Sequence, residues 1–115
     1  MHELGIANSV LEAVRAEVGR HPGALPVKVA MRVGELAGVD PDALAFSFQA
    51  LTSQTEWERL ALEVETCPRR HRCPACETTF RVVDYDFRCP ACRSPATECV
   101  GGDELELAYL ELEEP

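Results

Sequence analysis

The tetrapeptide Cys-Pro-Ala-Cys occurs twice, at residues 73–76 and 89–92, with twelve residues between the two copies. A CxxC turn aims two thiolates at one point, and two such turns supply the four sulfurs of a closed tetrahedral site. Cys73, Cys76, Cys89 and Cys92 are therefore expected to hold a structural zinc rather than a catalytic one. The intervening TTFRVVDYDF has the apolar and aromatic residues of a short hairpin. A segment this small cannot bury a core of its own, so the metal would hold it together. Iron uses the same ligands in rubredoxin-like sites, although knuckles of that kind usually stand further apart. A redox dithiol would leave two pairs, each needing its own partner. Cys67 and Cys99 flank the cluster. They read either as small, semi-buried residues or as an auxiliary, redox-sensitive pair. His71, two residues before the first knuckle, is expected on the surface of a basic stretch, with a second metal as the lesser reading.

A second group with metal chemistry stands at the other end of the chain, in Met1-His2-Glu3. A free α-amine, the His2 backbone nitrogen and the imidazole Nδ1 can close fused five- and six-membered chelate rings around one ion. Deprotonating the amide suits nickel(II) or copper(II), which accept in-plane nitrogen donors, better than zinc. The chelate needs Met1 retained and unacetylated, and retention is expected before a residue as large as histidine. The bland alternative is an exposed terminal imidazole near the first turn of a helix, with Glu3 as a favourable charge at its N-terminus.

Around these two groups the apolar pattern defines the elements that must position them. Leu4, Ala7, Val10, Leu11, Val14 and Val18 recur at helical spacing, and Gly19 with His21-Pro22-Gly23 ends that helix. Residues 27–33 alternate, with Val27, Val29, Met31 and Val33 on one face. Asp40-Pro41 reads as an N-cap and first-turn proline, opening a second helix to about Gln54 with Leu44, Phe48 and Leu51 inward. Leu60, Leu62 and Val64 give a second strand, and residues 104–112 a third. The apolar phase of that third strand shifts between Leu107 and Leu110, which demands a bulge or cover on both faces. The expected fold is α/β (α+β): a three-stranded sheet with two helices on one face, plus an inserted four-cysteine zinc lobe. Residues 1–67 and 100–115 would form the α/β domain and residues 68–99 the lobe.

Composition narrows the classes. At 115 residues and 46% apolar content the chain is one modest unit. It has no apolar run of membrane-spanning length and no signal-peptide pattern at its start, so a cytoplasmic protein off the membrane is expected. Net charge is −9, against nucleic-acid binding. Residues 67–99 nevertheless carry six basic and four acidic side chains, whereas 100–115 carry six acidic and none basic. Neither GxxxxGK[ST] nor GxSxG is present, so no enzyme is expected. The competing reading is a zinc-ribbon interaction or nucleic-acid-binding module, which accounts for the basic cysteine segment alone. An iron-based electron carrier is the third.

MHE at residue one, VGELAGVDPDALAFSFQAL at 33–51, the double CxxC and GDELELAYLEL at 102–112 stand in one order. In these motifs, and over its whole length, the chain resembles the hydrogenase nickel-incorporation family (HypA/HybF). The resemblance implies a nickel metallochaperone that delivers Ni(II) to the large subunit of [NiFe] hydrogenase with a GTP-hydrolysing partner. It implies His2 as the nickel ligand, Cys73, Cys76, Cys89 and Cys92 on zinc, and Glu3 as a source of a backbone nitrogen and of partner recognition. Asp40 falls where some relatives place an acidic side chain near nickel, and its capping role before Pro41 explains it equally well.

Overall fold

The computed structural model describes residues 2–115. Helix α1 spans Glu3–Val18 and buries Ala7, Val10, Leu11 and Val14, a stripe spaced three and four apart. Gly19 closes it by donating its backbone N–H to the carbonyl of Arg15. Strand β1 (Leu25–Gly34) follows, and then helix α2 (Pro41–Thr52), which buries Leu44 and Phe48. Asp40 caps α2 through Oδ1, which accepts from the backbone N–H groups of Asp42 at 2.9 Å and Ala43 at 3.3 Å. Strand β2 (Ala61–Cys67) lies parallel to β1, so α2 is the crossover that parallel pairing requires.

The chain then leaves this sheet through β3 (Arg70–Arg72), β4 (Thr79–Arg81) and β5 (Glu98–Gly101) and returns as β6 (Leu105–Glu113). Two sheets result, ordered β2-β1-β6 and β4-β3-β5. Both helices cover one face of the first. Val29, Met31 and Val33 join the helix residues there in one core with Trp57 and Leu60, while Leu62, Val64 and Leu110 pack at its margin. Trp57 reaches this core from the loop after α2 and lies beneath the Arg15 guanidinium, 5.3 Å from its ring centroid. The opposite face is polar. Lys28 pairs with Glu63, Arg32 with Glu106 at 2.8 Å, and Tyr109 donates its hydroxyl to Glu63 at 3.3 Å.

The phase shift in the last strand is a bulge. Ala30 faces Tyr109 and Met31 faces Leu107, which leaves Ala108 as the extra residue and keeps Leu105, Leu107 and Leu110 on the helix side. Three sequence expectations need correction. Val27 is exposed, because β1 carries its own bulge between Pro26 and Lys28. Helix α2 stops at Thr52, whose hydroxyl turns back to the carbonyl of Phe48 at 3.1 Å, and Gln54 already has φ +61°. The hairpin expected within residues 78–87 is reduced to a tight turn, Val83–Asp86, with Asp84 and Tyr85 both at positive φ. Its incoming arm, β4, pairs with β3 from outside the CxxC pair instead.

The two sheets meet where β1 ends. Gly34 and Leu36 donate backbone N–H groups to the carbonyls of Glu104 and Gly102, each at 2.6 Å, and Glu35 donates to Cys67 at 2.8 Å. A Cβ on Gly34 would collide with the Gly102 carbonyl. Gly102 itself has φ +112°, and a Cβ there would sit 2.7 Å from Cα of Arg69.

Candidate metal centres

The two CxxC turns are built alike. In each, the first cysteine donates its backbone N–H to the carbonyl five residues on: Cys73 to Thr78 at 2.9 Å, Cys89 to Ser94 at 3.0 Å. In each, the residue four positions on donates back to that cysteine's carbonyl: Glu77 at 2.7 Å, Arg93 at 2.8 Å. Those two residues hold the left-handed conformation, at φ +65° and +68°. Each turn buries its first cysteine and exposes its second.

The four sulfurs lie within 4.8 Å of one another, with Cys73–Cys92 and Cys76–Cys89 each at 3.5 Å. A tetrahedron of Zn–S bonds of about 2.3 Å has edges of about 3.8 Å, so the donor set fits zinc in number, chemistry and span. The chemistry of the sulfurs points the same way. Hydrogen bonding with the side chain and then the backbone of Thr78, and then with Cys89, draws the Cys76 thiol down to about 6. The Ser94 backbone favours a thiolate at Cys92, but the contact with Cys73 and then burial push that thiol up to about 12. A divalent cation at the centre of the four sulfurs favours the thiolate in each donor that it binds.

Cys67 and Cys99 do not join this group. Cys67 is half-buried at the end of β2, where burial and then Glu104 raise its thiol above the ordinary range. Cys99 is exposed on β5, its Sγ 3.5 Å from the carbonyl of Gly101.

His71, expected at the surface, is buried in the second sheet. Its ring stacks on Phe87 at 5.2 Å, with 10° between the planes. Nε2 accepts from Arg69 Nε at 3.0 Å, so Nδ1 carries the proton toward Thr97 Oγ1 at 3.0 Å, and Thr97 donates in turn to the carbonyl of Phe87 at 2.5 Å. Burial, then the Arg69 charge, hold the imidazole below its ordinary pKa. Both ring nitrogens are thus engaged, and the group has a packing role. Only the three-residue alternation Arg70-His71-Arg72 could have signalled this, and it is too short to read as a strand.

At the other end His2 is the N-cap of α1, with its side chain exposed and making no capping hydrogen bond. Its carbonyl accepts from Ile6 at 3.1 Å, which ties its backbone to the first helical turn. Met1, the expected amine donor, lies outside the described residues. Glu3 opens the helix, and its carboxylate accepts the backbone N–H of Asp40 at 3.3 Å. That contact joins the N-termini of α1 and α2. The Asp40 carboxylate is occupied as the α2 cap. Among the described residues only the four cysteines form a group of three or more converging metal donors, so His2 stands apart from any side-chain cluster.

Residues 1–112 match the family described as hydrogenase/urease nickel incorporation, metallochaperone, hypA. The chain belongs to the HypA family. It is 34% identical over 114 residues to the hydrogenase maturation factor HypA of Desulfitobacterium hafniense, covering 99% of this chain and 100% of that one. It is 38% identical over 113 residues to the HypA of Geobacter metallireducens, covering 98% and 100%. The solution structure of the Ni metallochaperone HypA from Helicobacter pylori matches the fold with a TM-score of 0.66 at 19% identity, over 100% of both chains. The HypA fold, two helices on a mixed sheet with a four-cysteine cluster between its last strands, thus extends over the whole chain. No helix among the described residues is long and apolar enough to cross a membrane.

Proposed function

We propose that the chain is a nickel carrier that loads Ni(II) at its N-terminus and passes it to the large subunit of a [NiFe] hydrogenase in the cytoplasm, together with a GTP-hydrolysing partner. Zinc at Cys73, Cys76, Cys89 and Cys92 is structural in this reading, and it organises residues 68–99 as a lobe inserted in an α/β domain of residues 1–67 and 100–115. The observation that carries the nickel assignment is the state of His2. Its imidazole is exposed and free of any capping role, at the first residue before an ordered helix, in a family defined by nickel incorporation. The Met1 amine and the His2 amide complete an in-plane nitrogen chelate, with the Glu3 backbone nitrogen as a further donor.

Such a site suits a carrier. Opening it disturbs no packed core, because the His2 side chain is exposed at the helix start. The Glu3–Asp40 contact fixes where that start lies relative to α2. The chain acts as a carrier and not as a catalyst, so nucleotide hydrolysis belongs to the partner. The family description names urease beside hydrogenase, which makes a urease client the second reading.

Metal analysis of the untagged protein tests the assignment. Wild type should hold one zinc and take up one nickel, and His2→Ala should keep the zinc and lose the nickel. Equal nickel affinity in the two proteins would remove His2 from the site. Extending the chain before Met1 separates the amine from the imidazole: undiminished nickel binding there would show that the amine is not a ligand.

A further inference from the structure

The first sheet ends on β6, nine residues long, and no strand among the described residues pairs with its outer side. Natural sheets usually cover or blunt such an edge. Here the edge is flanked by apolar surface. Leu105 and Leu107, on its helix-facing side, are 40% and 38% exposed. A groove of about 470 Å³ runs between them and α1, with Ile6, Val10 and Met31 in its lining and His2 beside it. Gly5, Ser9 and Ala13 present small residues to this groove at every fourth position of α1, so the helix stands beside β6 without filling the gap. A second cleft of about 460 Å³ continues it past Ala13, Leu107 and Leu110.

The charges identify the occupant. Residues 103–114 carry six acidic side chains and no basic one. A second copy of the chain, paired edge to edge, would set this row against itself, and like charges across a strand pair are destabilising. The strand that β6 already accepts on its inner side shows the complement. In β1, Arg32 lies opposite Glu106 and Lys28 opposite Glu111, while Val29, Met31 and Val33 face Leu110, Leu107 and Leu105. We propose that the outer edge of β6 is a docking site for an extended segment of a client polypeptide in which apolar side chains alternate with Lys or Arg. Main-chain hydrogen bonds to the edge supply affinity, and the apolar side chains enter the groove between α1 and β6. The purpose of this docking rests on the nickel-carrier reading, since the groove opens at His2 and the bound strand holds its parent protein beside the loaded terminus. The docking itself needs no nickel.

The test uses the untagged, zinc-loaded, ¹⁵N-labelled full chain and two capped synthetic peptides. One copies residues 27–33, VKVAMRV, and the other is the same peptide with K28E and R32E. The basic peptide should shift amide resonances along β6 and the facing side of α1 in a saturable way, with equal affinity in the presence and absence of nickel. The acidic peptide should bind at least tenfold more weakly. Ser9→Trp, which fills the groove from an exposed helix position, should abolish the shifts while zinc content and Tm stay at wild-type values. Leu107→Lys provides a second variant from the strand side. Shifts confined to β2, equal affinity for both peptides, or no saturable shift at millimolar peptide would overturn the proposal. So would a dimer, seen by sedimentation, that Ser9→Trp dissociates, because a second copy would then own the edge. Saturable peptide binding by untagged wild type, together with failure of that same protein to take up nickel, leaves this site standing and sinks the carrier reading. The reverse result sinks the docking site alone.

Discussion

The cysteine cluster and the N-terminus both present metal donors, but they are built to opposite plans. At the cluster every donor comes from a side chain on a hydrogen-bonded turn, and two of the four sulfurs are fully buried. At the terminus one exposed imidazole stands on a helix start, and the remaining donors proposed there belong to the backbone. A closed, four-sulfur shell suits an ion that stays, and an open one suits an ion that leaves. Where a metal sits relative to packed structure thus separates a resident ion from a cargo.

The largest effect is expected at the cluster. Cys73→Ala or Cys89→Ala should release zinc and unfold residues 68–99, since structural zinc contributes about 10–16 kcal/mol of apparent binding energy to small metal-held folds. Zinc analysis and limited proteolysis check this, and a variant that keeps both zinc and protease resistance would overturn the structural assignment. The next largest effect belongs at the junction of the two sheets. Gly34→Ala forces a Cβ against the Gly102 carbonyl and should cost at least about 3 kcal/mol in denaturant unfolding, well above the ordinary surface substitution. A smaller gain tests the turn geometry. Arg93→Gly removes a side chain from a left-handed residue and should stabilise the zinc-bound protein by about 0.5–1 kcal/mol.

The smallest effect on folding falls where the cargo effect is largest. His2→Ala should change stability by no more than about 0.5 kcal/mol, because the exposed imidazole makes no capping bond. Nickel uptake by wild type should also rise with pH, since binding to amine, amide and imidazole nitrogens displaces protons. Isothermal titration in buffers of different ionisation enthalpy reads the released protons directly. Release of less than one proton per nickel at neutral pH would leave the imidazole without its proposed backbone partners, because the amide alone must give up a full proton.

How far the sequence reveals this molecule depends on the length of the pattern. The stripe from Ala7 to Val14 and the pair Asp40-Pro41 state α1 and the start of α2 plainly, because capping and helical spacing are local. The shift between Leu107 and Leu110 shows that β6 departs from simple alternation, and the paired register resolves it as the Ala108 bulge. Val27 misleads because its exposure is decided by a bulge that only pairing with β6 reveals. Strands β3, β4 and β5 are three or four residues long, below any readable period, so the sheet that encloses His71 leaves no signal. The four cysteines are legible because metal coordination fixes their spacing. The acidic edge of β6 shows in composition, but the groove beside it depends on where α1 lies in space.

The matched turns around Cys73 and Cys89 bear on the order in which the cluster assembles. Each turn is closed by contacts no more than five residues apart, so each can form on the microsecond scale of local structure, independently of the other. Only the step that brings the two turns together spans a longer separation, 13 positions from Cys76 to Cys89 and 19 from Cys73 to Cys92. Zinc capture should therefore proceed in two stages, with one pair of sulfurs taking the ion and the second pair arriving by loop closure. The half-loaded species is the point at which a competing chelator can still take the metal, and stopped-flow mixing with such a chelator would time it.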